Sequence, residues 1–323
     1  AEYFLREVRR MRSAIRRLRP DLHVPVDSPA LNWHLAAAAR AAGTPVAYYI
    51  APQVWAWAPW RVKKLARLTD HVACILPFEE DYLRARGVAA HYVGHPLLDT
   101  LGPQPPAADL PDLLDAYAHG RWRVALLPGS RAGEIDAHVP ALAAAARAVV
   151  QQWPEARCVL AAREPADAAR ARRLAGGAPI EIRVVRTREV LASSHVALAV
   201  SGTVTLEAAH FGLPMVVFYR VGAALRAVHR TARRWILRTP HLSLVNILAG
   251  RELVPELMPW NGDPRPATAA LLELMDDPGS LLEMRQDLQD LVRPLRAAGG
   301  SSASDNAARV VCQALRSGDP GRR

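Results

Sequence analysis

Short apolar runs, several of them rich in β-branched residues, alternate along the chain with longer segments whose apolar residues recur at helical spacing. This pattern predicts strands over 22–26, 45–50, 71–76, 91–93, 123–127, 157–161, 181–185, 196–200 and 214–219. It predicts helices over 31–42, 62–68, 79–86, 138–153, 166–175, 204–211 and 222–237. Because regular alternation of strands and helices is typical of parallel sheets with helices on both faces, we expect an α/β fold.

A proline-rich and aspartate-rich stretch over 98–121 interrupts this alternation, which restarts at Val124. A stretch of this composition is typical of a linker. We therefore expect two Rossmann-like, doubly wound parallel-sheet domains that face a cleft, over 1–118 and 119–297. A C-terminal helix and tail are expected over 298–323. Ligands usually bind in a cleft of this kind.

The composition favours a soluble, cytoplasmic protein. The 323 residues suit two domains, and half of them are hydrophobic, which is enough for two packed cores. Three widely spaced cysteines exclude a disulfide framework and a thiolate zinc cluster, and they suit a reducing compartment. The chain opens without a signal peptide, and its longest uncharged stretch, 41–60, contains three prolines, which a membrane helix would rarely carry.

Basic residues concentrate at the start of the chain. The net charge is +10, and residues 1–67 hold twelve basic side chains against four acidic ones. Arginine alternates with apolar residues over 4–18, over 225–238 and, beside three tryptophans, over 55–67. Such segments are typical of a membrane surface, but a core stripe with a solvated basic face has the same pattern, so both interpretations stay open. No recognisable nucleic-acid-binding module is present, which disfavours a nucleic-acid partner.

A predicted buried strand, 123–127, runs directly into Pro128, Gly129, Ser130 and Arg131. The carboxyl end of a parallel strand is where doubly wound sheets bind ligands. Gly129 allows backbone to approach a ligand, Ser130 offers a hydroxyl, and Arg131 can grip a phosphate through two hydrogen bonds. An ordinary turn can have the same sequence, so this motif alone is weak evidence for a site.

A second strand, 196–200, is followed by Ser201, Gly202, Thr203 and, about one turn further on, Glu207. We expect Ser201 or Thr203 to cap the next helix, whose free N–H groups then face the ligand. Those groups can hold a diphosphate without metal or lysine, and the Glu207 carboxylate can hold a ribose diol. A plain capped helix is the alternative, but the two motifs together favour a nucleotide site.

In the first half, Asp27 follows the predicted strand 22–26 and precedes a helix that begins near Leu31. A carboxylate at a strand end can act as general base toward a sugar hydroxyl. Capping of the helix is the alternative, and the local sequence favours it. The chain has no HExxH or DxD spacing, nucleophile elbow, Walker loop or GxGxxG turn. These absences disfavour hydrolases of those classes, ATPases and nicotinamide dehydrogenases.

The motifs follow one another in a specific order. They are APQVWAW at 51–57, RVKK at 61–64, LPFE at 76–79, VGHP at 93–96, LPGSR at 127–131 with Glu134, SGTVTLE at 201–207, PMVV at 214–217, Tyr219 with Arg220, and NILAG at 246–250. This set resembles the lipid-A-disaccharide synthases, and the resemblance covers nearly the whole chain.

The resemblance implies an inverting glycosyltransferase of the two-Rossmann-domain (GT-B) type that needs neither metal nor cofactor. The implied reaction transfers 2,3-diacylglucosamine from its UDP derivative to 2,3-diacylglucosamine 1-phosphate, which yields the β-1,6-linked lipid A disaccharide 1-phosphate and UDP. The implied location is cytoplasmic, peripheral on the inner membrane. By the same resemblance, Asp27 is the catalytic carboxylate, Arg131 grips phosphate, Glu207 holds the ribose, and Asn246 lies in the nucleotide pocket.

The sequence departs from the family pattern in three places. Ala30 replaces the second acid of the family's Asp-x-Pro-Asp-Phe-Asn motif, and Val245 replaces the proline of Ser-Leu-Pro-Asn. The family's opening strand and its Gly-Glu-x-Ser-Gly-Asp loop are absent, so we expect a first domain truncated at its N-terminus. Two other functions therefore stay open: a UDP-binding fragment without activity, and a UDP-sugar epimerase of the same architecture.

Overall fold

The computed structural model describes residues 2–56, 58–103, 110–220, 240–297 and 300–317. They divide into two compact units. The first unit is built from the chain up to Thr100 and from Pro294 onward, and the second from most of the chain between them. The predicted boundary at 118 is therefore wrong. The helix Leu110–His119 belongs to the second unit, because Leu113 and Ala116 are buried in its core.

Parallel pairing builds the sheet of the first unit. Its described strands lie in the order β1 (Ala47–Tyr49), β2 (His71–Cys74) and β3 (Ala90–Tyr92). The predicted strand over 22–26 makes only two isolated parallel bridges to the free edge of β1, through His23 and Val26. The helices up to Leu101 are α1 (Glu2–Leu18), α2 (Pro29–Ala41), α3 (Val62–Leu68), α4 (Pro77–Arg84) and α5 (Pro96–Leu101).

The sheet of the second unit has the doubly wound topology. Its described strands are β4 (Arg123–Leu127), β5 (Arg157–Ala162), β6 (Ile180–Val184), β7 (Val196–Val200), β8 (Met215–Phe218) and β9 (Glu256–Leu257). All pairs are parallel, in the order β6-β5-β4-β7-β8-β9. Counted from β4 this is the 3-2-1-4-5-6 order of nucleotide-binding sheets. The order reverses between β4 and β7, so the ends of these two strands mark the expected ligand position.

Helices cover this sheet, which explains why β7 and nearly all of β4 are continuously apolar. They are α6 (Leu110–His119), α7 (Ala132–Gln152), α8 (Pro165–Ala175), α9 (Thr187–Ser193), α10 (Val204–His210), α11 (Leu244–Ala249), α12 (Pro264–Met275) and α13 (Pro278–Val292). The predicted helix over 222–237, which holds one basic cluster, lies outside the described residues, as does Trp57.

The last described helix, α14 (Ala303–Ser317), packs on the sheet of the first unit through Ala307 and Val310, so this C-terminal helix belongs to that unit, and residues 318–323 of the predicted tail lie outside the described residues. The Asp99 carboxylate accepts hydrogen bonds from the Ala303 and Ser304 N–H groups at 3.0 and 3.2 Å, and it thereby caps α14. None of the helices in the described residues is long and apolar enough to cross a membrane.

Candidate functional site

A cavity of about 350 Å³ lies where the strand order of the second unit reverses. Its walls come from the loops after β4, β5 and β7 and from the first turn of α10. Seven of the eight residues predicted to bind the donor line it, namely Gly129, Ser130, Arg131, Ser201, Gly202, Thr203 and Glu207. The structure thus brings Arg131 and Glu207, which are far apart in sequence, into one hollow.

The loop after β4 is held by Glu134. The Ser130 and Arg131 N–H groups donate to its Oε2 at 3.0 and 3.1 Å, and the Arg131 guanidinium donates to its Oε1 at 2.9 Å. Gly129 has φ +95°, and a Cβ there would lie 2.9 Å from the Glu134 Cβ. The glycine is therefore required by the close approach of Glu134. An anion in the cavity would meet the guanidinium of Arg131, whose side chain is 81% exposed, but not these two N–H groups.

Glu134 stays ionised in this arrangement. Burial pushes its pKa up, but the Ser130 and Arg131 N–H groups and the Arg131 guanidinium together outweigh that effect, so the pKa lies below its usual value. Glu134 is therefore a structural partner that orients Arg131. From sequence, Glu134 was recognisable only as part of a motif and had no predicted role.

The first turn of α10 differs from the expectation in its capping. Thr203 is already helical, with φ −57° and ψ −30°, and its side chain makes no capping hydrogen bond. A side-chain cap requires extended backbone at that position, so the predicted cap by Thr203 is wrong, and none is formed by Ser201. The Gly202, Thr203 and Val204 N–H groups nevertheless donate to no acceptor within the described residues, and all three residues line the cavity.

The Glu207 carboxylate accepts no hydrogen bond from the described part of the chain. Burial raises its pKa, and the Arg188 charge opposes that shift. Arg163, just after β5, and Thr187, at the start of α9, also line the cavity, and neither was predicted from sequence. The signal that could have found them is their position beyond the carboxyl ends of strands in the same sheet.

Asn246 is the one predicted donor-binding residue that the structure places elsewhere. It is completely buried and does not line the cavity. Its Nδ2 donates to the Val254 carbonyl at 2.9 Å and to Glu256 at 3.0 Å, and its Oδ1 accepts from the Leu253 and Val254 N–H groups at 2.8 and 3.0 Å. Its amide is saturated by these four hydrogen bonds and orders the chain before β9, so the implied contact with the nucleotide stays a prediction.

Asp27 lines a separate cavity of about 360 Å³ in the first unit, together with Gln53, Arg61 and Glu79. Asp27 and Ser28 both have φ +45°, a strained conformation for residues other than glycine. The buried Asn32 amide holds this turn by donating to the Val26 and Asp27 carbonyls at 3.0 and 2.7 Å. The Tyr48 hydroxyl donates to the Asp27 carbonyl at 2.8 Å.

The side chain of Asp27 is left free by these contacts. Its carboxylate accepts no hydrogen bond from the described residues, and Ser28, the residue before α2, also makes no side-chain cap. The capping explanation for Asp27 is therefore not realised. Asn32 and Tyr48 had no predicted role, because the hydrogen bonds that fix the turn depend on tertiary packing.

Glu79 forms the buried floor of this cavity. It accepts hydrogen bonds from Trp55 Nε1 at 2.8 Å and from the Ile75 and Leu76 N–H groups at 3.2 and 3.1 Å. Burial raises its pKa, and these three donors oppose that shift. Trp55 is thus an interior residue, 6% exposed, whereas Trp60 is 61% exposed. Within the described residues, no group of three or more His, Cys, Asp or Glu side chains is placed to hold a metal ion.

Solved structures with the same fold include nucleotide-sugar enzymes. The S. aureus MnaA–UDP co-structure matches with a TM-score of 0.60 at 14% identity, over 96% of this chain and 79% of its own. The UDP-GlcNAc 2-epimerase from Neisseria meningitidis bound to UDP-GlcNAc matches with a TM-score of 0.55 at 11% identity. The match covers 96% of this chain and 80% of the epimerase chain. At these identities the likeness shows the fold alone. The predicted α/β fold with parallel sheets is confirmed, and its neighbours are GT-B glycosyltransferases and epimerases.

Sequence comparison is more specific. A family model described as lipid-A-disaccharide synthetase matches residues 3–311. The lipid-A-disaccharide synthase of Anaeromyxobacter sp. (strain K) is 38% identical over 290 residues, which are 87% of this chain and 74% of that protein. The enzyme of Syntrophus aciditrophicus is 33% identical over 313 residues, which are 96% of this chain and 80% of that protein. The chain therefore belongs to the lipid-A-disaccharide synthase family.

Proposed function

We propose that this chain transfers 2,3-diacylglucosamine from its UDP derivative to 2,3-diacylglucosamine 1-phosphate, with release of UDP. Membership of the family makes it a UDP-sugar glycosyltransferase of lipid A biosynthesis. One observation carries the assignment of the donor site. Arg131, Glu207 and three residues whose N–H groups have no acceptor within the described residues line a single cavity at the point where the strand order of a nucleotide-binding sheet reverses.

The donor is held, in this proposal, through its diphosphate and its ribose. The Arg131 guanidinium and the Gly202, Thr203 and Val204 N–H groups bind the diphosphate, because both kinds of donor suit phosphate oxygens. The Glu207 carboxylate accepts hydrogen bonds from the ribose hydroxyls. These groups also stabilise the charge that develops on the departing UDP, so no metal ion is required.

Asp27 is the proposed catalytic base. The 6-hydroxyl oxygen of the acceptor attacks C1 of the donor sugar, its proton passes to the Asp27 carboxylate, and the bond from C1 to the diphosphate oxygen breaks. UDP leaves with the electron pair of that bond, and attack from the opposite face inverts the configuration at C1. Asn32 and Tyr48 are positioning residues, since they fix the carbonyl of Asp27 while its carboxylate stays free.

The two alternative functions have weaker support. The epimerases among the structural neighbours are only 11% to 16% identical to this chain, so they share its fold without indicating its reaction. A fragment that only binds UDP would have no use for a free carboxylate on a strained turn in the other unit.

The proposed membrane-facing surface is the exposed apolar part of α1. Tyr3, Phe4 and Leu5 are 71%, 40% and 52% exposed on a helix rich in arginine. Exposed apolar side chains beside arginine favour binding to anionic lipid. Co-sedimentation with anionic phospholipid vesicles should weaken in the double variant Phe4→Glu, Leu5→Glu. It should be unaffected by Leu114→Glu, which changes an exposed leucine on α6. Equal losses in both would rule out α1 as the membrane surface.

The reaction itself is tested with the full chain and both substrates in the presence of a metal chelator. We expect stoichiometric formation of the disaccharide 1-phosphate and UDP, with inverted configuration at C1. A folded protein that binds UDP and forms no disaccharide would refute the proposed function. Activity that appears only when a divalent cation is restored would refute the metal-independent mechanism.

A further inference from the structure

The cavity in the first unit is surrounded by strained backbone. Six non-glycine residues have positive φ in the part of the chain that the structure describes. Two of them, Asp27 and Ile50, line this cavity, and Ser28 directly follows Asp27. Strained residues cluster at ligand sites, because the surrounding structure must hold the groups that contact the ligand. The cavity also has the size of a small-molecule site, at about 360 Å³.

Arg61 is the cationic residue that lines this cavity. It is exposed, and its guanidinium makes no hydrogen bond or ion pair with any described residue. The other acidic residue in the wall, Glu79, is occupied by Trp55 and two backbone N–H groups. The guanidinium therefore has no competing carboxylate partner except Asp27. An unpaired guanidinium is suited to a phosphate monoester, which it binds through two parallel hydrogen bonds.

We propose that this cavity is the acceptor site and that Arg61 binds the phosphate of a sugar 1-phosphate whose hydroxyl faces Asp27. The assignment rests on the proposed function, since it names where the acceptor of that reaction binds. Asp27 and Arg61 then act on opposite ends of one sugar. The carboxylate takes the proton of the hydroxyl, and the guanidinium fixes the ring by its phosphate.

The test is a binding experiment on the full chain with two water-soluble, short-acyl acceptors. One acceptor is 2,3-diacylglucosamine 1-phosphate, and the other is the same sugar without phosphate. We expect the wild type to bind the phosphorylated sugar more tightly. Arg61→Gln should weaken that binding on the order of tenfold to a hundredfold, while it leaves the affinity for the unphosphorylated sugar and for UDP unchanged. The affinity of Arg61→Lys for the phosphorylated sugar should lie between those of the wild type and Arg61→Gln, because lysine keeps the charge and loses the paired hydrogen bonds.

Arg67→Gln is the matched control. Arg67 is an exposed arginine on α3, the helix that Arg61 directly precedes, and it does not line the cavity. The control removes the same charge, so equal weakening by Arg67→Gln and Arg61→Gln would overturn the proposal in favour of a nonspecific charge effect. Wild-type affinity of Arg61→Gln for the phosphorylated sugar would also overturn it.

Failure of the phosphate site can be distinguished from failure of the proposed reaction. If binding depends on Arg61 but the wild type forms no disaccharide, the phosphate site stands and the proposed reaction fails. If disaccharide forms at the wild-type rate without Arg61, the reaction stands and the phosphate site fails.

Discussion

The acidic residues of the two cavities differ in how their carboxylates are used. Glu79 and Glu134 accept hydrogen bonds from backbone N–H groups and from Trp55 and Arg131, and so they stabilise the loops around them. Asp27 and Glu207 accept none from the described residues. A carboxylate without partners beside a cavity is available to a ligand, which is why we assign the chemistry to these two residues.

The donor site predicts different effects for different ligands. Arg131→Ala should weaken UDP binding on the order of tenfold to a hundredfold and leave uridine binding unchanged, because uridine lacks the diphosphate. Glu207→Gln should weaken UDP and uridine by similar factors, because both carry the ribose diol. Calorimetric titration of each variant with both ligands checks this pattern. Loss of uridine binding in Arg131→Ala would show that Arg131 has another role.

The proposed base predicts a loss of turnover with binding retained. Asp27→Asn should lower kcat by about 100-fold to 10,000-fold, because an amide cannot accept the proton from the hydroxyl. The dissociation constant for UDP should change little. Asp21→Asn serves as the control, since it removes an exposed acid from the same segment. Loss of UDP binding in Asp27→Asn would instead give Asp27 a structural role.

At the scale of elements, the segment after β3 packs closely against the backbone of residues 295–297. Gly94 has φ +91°, and a Cβ there would lie 2.9 Å from the Ala297 backbone nitrogen. The His95 N–H donates to the Leu295 carbonyl at 2.8 Å. These contacts, together with the cap that Asp99 provides for α14, explain the Gly-His-Pro motif by packing.

Two glycine substitutions separate the backbone and steric contributions. Gly87 has φ +77°, but a Cβ added there would have no other atom within 4 Å, so Gly87→Ala should destabilise the protein by about 1–2 kcal/mol through φ alone. Gly94→Ala should cost about 1–3 kcal/mol more, because the added methyl meets backbone. Urea denaturation measures both. Equal losses of unfolding free energy in the two variants would mean that the backbone at Ala297 shifts to accept the added methyl group at no cost.

At the scale of the whole molecule, the boundary between the units predicts which fragment is stable. A fragment over 101–293 retains α6, which buries Leu113 and Ala116 and places Asp112 2.8 Å from Arg123. It should bind UDP with the affinity of the full chain. A fragment over 121–293 should be less stable by about 3 kcal/mol or more, because it exposes the core under α6. Equal unfolding free energies would contradict the boundary.

Each unit also contains a buried histidine that makes its stability depend on pH. Burial, with a smaller effect of the Arg123 charge, lowers the pKa of His195 to about 4, and burial lowers that of His95 to about 4. The unfolded chain takes up these protons near pH 6.5. Stability is therefore complete above pH 6.5 and falls toward pH 4, by at most about 1.4 kcal/mol per pH unit for each histidine.

Unfolding free energies of wild type and His195→Gln at pH 7.5, 5.5 and 4.5 measure the contribution of His195. The variant should lose less stability on acidification. The raised pKa values of Glu79 and Glu207 act in the opposite direction, but they are common to both proteins and cancel in the comparison. Identical slopes would mean that His195 does not titrate in this window.

The element types follow from local sequence. The predicted bounds of β4 and β7 match the structure, because a continuous apolar run that ends at a polar turn defines a strand covered on both faces. The sequence also placed Gly129 and Arg131 just beyond the end of β4 and Glu207 in the helix that follows β7. Such assignments depend only on neighbours along the chain. The two-residue β9 was missed, because so short a strand has no periodicity to detect.

Tertiary structure determined which of these residues line the same cavity and which of their polar groups have no hydrogen-bond partner among the described residues. Only the strand order places the ends of β4 and β7 side by side, so that Arg131 and Glu207 line one cavity. Only tertiary packing buries Asn246 and places α6 in the second unit. It also brings Glu134 to the N–H groups of the loop after β4. The physical reason is that a buried polar group must find hydrogen-bond partners wherever the fold brings them, and those partners are remote in sequence.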